Sequence, residues 1–259
     1  MSAVPDIRRL FDLRGRTALV TGASSGIGRA IAEALAGAGA RIVVVARRKP
    51  ALDEVVRSLR ESGAQAEAIK ADVADREEIV GLGEAASRPF GAPDILVNAA
   101  GINTREHADE VTEDGWDATL AVNLSAPFFL AQRLAPAMIE RGWGRIINIA
   151  SLQSVRAFAN GIAYGASKGG IMQLTRAMAE AWSPRGICCN AIAPGFFPTA
   201  LTAPIFKDEA LVERLAAQTM IGRNGRMDDL HGIAVFLAAP ASDYVTGQTI
   251  FLDGGFTAR

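Results

Sequence analysis

Tyr164 and Lys168, a tyrosine and a lysine four residues apart, are the pair in this chain best suited to moving a proton. At i and i+4 on a helix they share one face. A free phenol titrates near pH 10 and is a poor base in neutral water, but a neighbouring ammonium favours the phenolate and lowers that value. Ser151 ends an apolar, β-branched run, so its hydroxyl falls at a strand end and could hold the substrate oxygen that gains or loses the proton. By itself Tyr-x-x-x-Lys is a weak pattern, which an exposed helix pair produces as readily. Its meaning depends on what stands around it.

A second constellation is Thr21-Gly22-Ala23-Ser24-Ser25-Gly26-Ile27-Gly28, between a strand-like run and a helix-like one. Glycines permit a tight turn and a close backbone approach. The helix N-terminus beyond offers free N–H groups and partial positive charge to a diphosphate. The spacing is GxxxGxG rather than the general GxGxxG fingerprint. Gly22, Ser24, Ser25, Gly26, Ile27 and Gly28 are therefore the expected dinucleotide contacts, with ordinary turn chemistry as the alternative. An acid about 20 residues past such a loop would bind both ribose hydroxyls of NAD. Here Ala46 is followed by Arg47-Arg48-Lys49, and no carboxylate comes before Asp53. These cations suit a 2′-phosphate, or else they are a solvated strand end. One charge-assisted hydrogen bond contributes roughly 1.5–3 kcal/mol, or about ten- to a hundredfold in affinity. Arg47 and Arg48 thus point to NADP(H), with NAD(H) as the other carrier. Asp72-Val73 is placed to meet an adenine edge, although a plain turn aspartate fits nearly as well. Asn98-Ala99-Ala100-Gly101 would let a cofactor lie across small residues, as would a well-packed corner.

The elements that must hold these groups alternate. Short β-branched runs at 17–21, 41–46, 66–70, 95–98, 145–150, 187–193 and 249–252 predict strands. Amphipathic stretches at 27–38, 51–61, 76–86, 113–138, 163–182, 209–218 and 228–237 predict helices. Ile42-Val43-Val44-Val45 has no polar face, as a strand covered on both sides requires. This is the rhythm of an α/β, doubly wound Rossmann fold of about seven parallel strands flanked by helices, in a single domain over 1–259. Residues 1–12 read as an N-terminal extension and 196–220 as a substrate lid. Ligands in such sheets bind outside the carboxyl ends of the strands, where the glycine loop and Ser151 both fall.

Composition narrows the setting. The 27 Lys+Arg and 28 Asp+Glu residues nearly cancel, so no basic footprint for nucleic acid is expected. The N-terminal stretch carries Asp6, Arg8, Arg9 and Asp12 and lacks a secretory apolar core, and no run suits a membrane span. Cys188 and Cys189 are adjacent and read as buried thiols rather than a disulfide or metal pair. The two histidines lie far apart with no acid cluster, so no metal site is expected. A soluble, reducing, cytoplasmic setting fits all of this.

With these motifs in order, the sequence resembles the short-chain dehydrogenase/reductases of the single-domain subtype. The likeness runs from Leu13 to Gly255. Thr21-Gly22-x-x-x-Gly26-x-Gly28 is similar to the family's cofactor loop and Asn98-x-Ala100-Gly101 to its fourth-strand motif. Asn123, Ser151, Tyr164 and Lys168 match the catalytic set; Pro194-Gly195 and Thr199 match the segment that closes over nicotinamide. The resemblance implies that Tyr164 is the general acid in reduction and the base in oxidation, and that Lys168 holds the nicotinamide ribose and depresses the tyrosine pKa. It further implies that Ser151 orients the substrate oxygen and Asn123 holds a water linking Lys168 to solvent. Ala99 departs from the family's usual second asparagine.

The substrate is less legible. Asn103 and Arg105 follow Gly101, while Gln153, Ser154 and Arg156 follow Ser151; residues 196–206 form an apolar lid with a short helix. Arg105, Ser151, Gln153, Arg156 and Tyr164 are the expected substrate contacts. Asn103, Arg105, Gln153 and Arg156 would suit a hydroxylated small-molecule substrate, with or without a negative charge, since arginine clamps a carboxylate bidentately; each arginine could equally serve the surface or a subunit contact. Phe11-Asp12-Leu13-Arg14-Gly15-Arg16, Arg105 and Thr199-x-x-Thr202-Ala203-Pro204 resemble the gluconate 5-dehydrogenase and 2-deoxygluconate 3-dehydrogenase branch, which implies a sugar acid or polyol. A 3-oxoacyl-carrier-protein reductase is the main alternative and a non-catalytic NADPH-binding protein a remote one. The family resemblance also implies a homotetramer, to which Trp116, Phe128, Phe129, Trp182, Phe251 and Phe256 could contribute.

Overall fold

The computed structural model describes residues 6–259, so the first part of the expected N-terminal extension lies outside the described residues. Seven parallel strands form one sheet in the order β3-β2-β1-β4-β5-β6-β7. They are β1 Thr17–Thr21, β2 Arg41–Ala46, β3 Ala66–Lys70, β4 Ile95–Asn98, β5 Gly144–Ile149, β6 Ile187–Pro194 and β7 Thr249–Leu252. The apolar runs form strands because both faces are covered. Ile42 and Val44 of β2 pack with Ile31 and Leu35 of α1 (Gly26–Gly37), Leu52 and Val55 of α2 (Lys49–Glu61), and Leu237. Val43 and Val45 face the opposite layer, with α3 (Arg76–Ser87) and the helices that follow β4. Each fully buried Val or Ile contributes about 1.5–3 kcal/mol.

The chain order reverses between β1 and β4, so the connections leaving these two neighbours diverge and open a crevice above their carboxyl ends. Thr21 closes the pair: its hydroxyl donates to Val97 O and accepts from the N–H groups of Ala99 and Ala100.

The expected single helix over 113–138 is interrupted. Helix α4 (Glu113–Leu120) passes through one π turn, Ala121–Ser125, into α5 (Ala126–Glu140). Pro127 is the physical reason. It has no N–H to give Asn123 four residues earlier, and the Ala126 N–H bonds to Ala121 O five residues back instead. Single π turns inside α-helices are frequent at functional sites, and Asn123 is inside this one.

Helix α6 (Ile162–Trp182) follows β5, and two shorter helices, α7 (Ala203–Phe206) and α8 (Glu209–Ala217), rise after β6; α9 (Asp229–Ala238) precedes β7. Of the aromatic residues considered for subunit contacts, Trp182 and Phe256 are buried within the chain. Trp182 stacks on Phe128, and Phe256 closes a cluster with Phe158 and Phe196.

Candidate active site

A cavity of about 560 Å³ lies along the carboxyl ends of the central strands, running from the glycine loop past Ser151, Tyr164 and Lys168 to the segment after β6. Its far end is built by backbone. Gly22 has a φ of 65°, and a Cβ there would sit 2.6 Å from the Ala100 nitrogen. A Cβ on Gly28 would sit 2.5 Å from Gly22 O, so the first turn of α1 can press on the loop only as glycine. Ser25 caps α1 without a side-chain bond, and the first turn holds no acid. The leading N–H groups and the positive end of the helix are therefore left for an anion. This is the donor set a diphosphate needs, and the residues fit a dinucleotide.

Three cations follow β2, and the structure separates them. Lys49 pairs with Asp53 on its own helix. Arg48 donates to the Ser24 hydroxyl at 3.3 Å, and Arg47 lies 3.6 Å from the Asp72 carboxylate. Arg47, Arg48, Asp72 and Val73 all line the cavity. Asp72 also accepts from the Ala74 N–H, so it shapes its turn and faces the cavity at once.

Lys168 is only 4% exposed, and its ammonium donates to Ile149 O at 2.6 Å. Burial lowers its pKa to about 8. Tyr164 is half-buried beside it, with the Lys168 Nζ 5.6 Å from the ring centroid. Burial pushes the Tyr164 phenol above its usual range, against hydrogen bonding with Ser151 and the positive charge of Arg105. The lowering expected from Lys168 is therefore reversed: burial outweighs the two groups that oppose it, and Lys168 is not one of them. The consequence is a phenol that holds its proton in the free chain.

Asn123 does not offer its side chain to solvent. Its Oδ1 accepts from the Ile102 N–H, while its Nδ2 donates to Ile102 O and to Ser167 Oγ, each at 2.9–3.0 Å. The amide fixes the loop after β4 against α6, and the proline at 127 leaves the Asn123 carbonyl without its ordinary helical donor. Ser167, which the sequence reading did not single out, joins this arrangement by donating to Tyr164 O. Its position one residue before Lys168 was the available signal.

Two expected contacts lie elsewhere. Asn98 is buried, and its Nδ2 donates to Asn148 Oδ1 at 2.9 Å; Asn148 in turn donates to Thr175 Oγ1. This network joins β4, β5 and α6 and is not part of the cavity wall, because Asn98 is still within the strand when its side chain is directed. Arg156 is exposed and does not line the cavity, since the 3-10 turn Leu152–Ser154 has ended and the chain has turned outward. Gly101, Pro194, Gly195 and Thr199 do line it, as do Arg105, Ser151 and Gln153.

Arg105 spans the near mouth. Its φ of 57° is left-handed, and Asn103 Oδ1 accepts its N–H at 3.1 Å to hold that turn. A non-glycine residue in this region costs free energy that active sites tolerate. Its guanidinium donates to Leu201 O at 2.7 Å, reaching the segment after β6. That segment is stapled by Thr199 and Thr202, whose hydroxyls lie 2.9 Å apart. Phe196, Leu201 and Ile205 add apolar wall, which the sequence showed only as a general apolar stretch.

The geometry is matched by what the chain is similar to. The family model described as Enoyl-(Acyl carrier protein) reductase matches residues 22–257. Gluconate 5-dehydrogenase of Gluconobacter oxydans (strain 621H) is 40% identical, the match covering 96% of this chain and 97% of that protein. The 2-dehydro-3-deoxy-D-gluconate 5-dehydrogenase of Bacillus subtilis (strain 168) is 44% identical over the same shares. Among solved structures, a gluconate 5-dehydrogenase from Burkholderia cenocepacia J2315 in complex with NADP and tartrate superposes with a TM-score of 0.94 at 42% identity, covering 98% of this chain and 99% of that one.

Proposed function

The chain belongs to the short-chain dehydrogenase/reductase family, and from that premise we propose that it interconverts a secondary alcohol and a ketone on a sugar acid with NADP(H), as a gluconate 5-dehydrogenase does. The carrying observation is that one cavity joins Ser151, Tyr164 and Lys168 to two arginines at its far end and one at its mouth. The glycine loop and the first turn of α1 would hold the diphosphate, and Arg48 with Ser24 and Arg47 the 2′-phosphate. Asp72 and Val73 would border the adenine; Gly101, Pro194, Gly195 and Thr199 would border the nicotinamide.

Bound there, the cofactor supplies the hydride in reduction and takes it in oxidation. The chain handles the proton. Ser151 orients the substrate oxygen beside Tyr164. The phenol, kept protonated by burial, donates to the oxygen as negative charge develops on it, and in oxidation its conjugate base takes the hydroxyl proton. A positioned acid or base of this kind contributes about 10²–10⁴ in rate. Lys168, with a pKa of about 8, is mostly an ammonium at neutral pH and would hold the ribose hydroxyls. The Asn123 carbonyl, lacking a helical donor, suits a water that passes protons from Lys168 to solvent. Arg105 and Gln153 face the rest of the substrate, and the guanidinium matches a carboxylate. Residues 196–220 act as the lid over it.

We place the enzyme in the cytoplasm, as a single domain over 1–259 assembled into a homotetramer. The free thiols of Cys188 and Cys189 agree with a reducing setting. Exposed Met220 and Ile221, packed over Gly254 and Gly255, support a subunit contact near β7.

Initial rates with gluconate, 5-ketogluconate and acetoacetyl thioester, each with NADP(H) and NAD(H), test the reading. Turnover is expected with the sugar acids and NADP(H), with NADPH binding about ten- to a hundredfold tighter than NADH. Preference for the thioester would overturn the substrate assignment, and equal or tighter NADH binding the cofactor assignment.

A further inference from the structure

Ser151 owes its position to a turn that has its own fastening. It caps the 3-10 turn Leu152–Ser154, and its Oγ accepts from the Gln153 N–H at 3.1 Å. Ser154 answers: its Oγ accepts from the Ser151 N–H at 3.3 Å and donates its proton to Lys168 O at 2.5 Å. That carbonyl belongs to α6, four residues beyond Tyr164. One hydroxyl therefore bonds the main chain of two catalytic residues.

At two points on the helix, packing leaves the turn unwedged. Two glycines of α6 face the turn, and an added Cβ would lie 3.9 Å from Gln153 O at Gly165 and 3.8 Å from Ser154 O at Gly169. Both are ordinary van der Waals distances, so at these two positions no side chain wedges the turn against the helix. Ser154 does not line the cavity and touches no reacting group.

We propose that Ser154 is a positioning residue, holding the turn that carries Ser151 against the helix that carries Tyr164 and Lys168. The proposal rests on the reading of those three as the reacting groups. Ser151 is the first of the influences that oppose the burial of Tyr164. A loosened turn should therefore release the phenol to titrate higher as well as misplace the substrate oxygen.

The test compares Ser154→Ala, Ser154→Cys and Ser154→Thr with the wild-type enzyme in kcat, KM for NADPH, pH–rate profile and thermal unfolding. Misplacement on an ångström scale costs about 10²-fold, so a smaller shift in Ser154→Ala should lower kcat by about 10- to 100-fold. Its KM for NADPH should be unchanged, and the limb set by Tyr164 should move to higher pH. Ser154→Thr keeps the hydroxyl and should return both kcat and the limb toward wild type. If Ser154→Ala does not fold, Ser154→Cys, near-isosteric with a weak donor, should show the same losses in smaller degree. A folded Ala or Cys variant with wild-type kcat and an unshifted limb would overturn the proposal, as would failure of folded Ser154→Thr to recover. A wild-type enzyme inactive on every compound of the panel would overturn the functional reading as well, which separates the two failures.

Discussion

The two ends of the sheet treat charge in opposite ways. At the amino end two buried ions, Asp94 and Arg145, each have a charged partner. Asp94 accepts from the Thr17 N–H at 2.9 Å and pairs with Arg16 at 3.4 Å and Arg141 at 3.2 Å. Arg145, 1% exposed, pairs with Asp243, while its guanidinium lies 4.3 Å from the centre of the Trp143 ring. Arg16 stacks on the same ring at 3.8 Å. At the carboxyl end Lys168 is as deeply buried, and among the described residues its ammonium bonds only a carbonyl. A buried charge without a counter-ion raises the free energy of the fold, and such groups concentrate where chemistry needs a shifted pKa. The amino end ties β1, β4 and β5 together; the carboxyl end uses the stability so gained to hold groups in states water would not leave them in.

The contrast makes its largest claim on Tyr164. Tyr164→Phe removes only the proton-bearing atom, so kcat should fall by about 10²–10⁴ while NADPH affinity and unfolding temperature stay near wild type. Steady-state kinetics and equilibrium titration check this, and full activity would remove the phenol from the mechanism. Next is Arg145→Ala at the other end. It takes a buried guanidinium from Trp143 and Asp243. The full cost of breaking a buried pair is about 3–5 kcal/mol, but Asp243 is 63% exposed, so a loss of about 2–3 kcal/mol is expected. Turnover per folded molecule should not change. A proportional fall in kcat would mean that the two ends are coupled and the division is wrong.

How much of this was legible in the sequence follows the same division. The central strands could be read because Ile42 to Val45 and Ile95 to Val97 are apolar on both faces, and burial on both faces is what the middle of the sheet requires. The glycine loop could be read because its backbone contacts leave room for no side chain at Gly22 and Gly28. Side-chain direction at the strand ends could not. Asn98 stands three residues before Gly101, yet its amide belongs to a buried network set by Asn148 and Thr175, which are 50 and 77 positions distant. Arg156 stands three residues past Gln153, yet one finished 3-10 turn sends it to solvent. The break between α4 and α5 was in principle visible in Pro127, but the helical apolar pattern continues across it and concealed the π turn. Pairings between distant segments, such as Arg105 with Leu201 or Ser154 with Lys168, have no local pattern to betray them.

The smallest effect isolates the cost of the carboxyl end. Lys168 has its pKa lowered from 10.5 to about 8 by burial. One unit is worth about 1.36 kcal/mol, so the buried ammonium weakens the free fold at pH 7 by about 3 kcal/mol. Its bond to Ile149 O returns about 1–2 kcal/mol. Lys168→Met removes both, so at pH 7 the cofactor-free variant should be more stable by about 1–2 kcal/mol, although it should lose turnover. The sign follows from proton counting. Between about pH 8 and 10.5 the unfolded chain keeps a proton that the folded chain has released, so wild-type stability gains from this group as pH rises. The Met variant lacks that rise, and its advantage should vanish above the unfolded value. Thermal unfolding of both proteins from pH 7 to 11 measures the difference directly. A Met variant less stable at every pH would show that Lys168 supports the fold as the paired amino-end charges do, and the contrast between the two ends would fail at the residue on which it most depends.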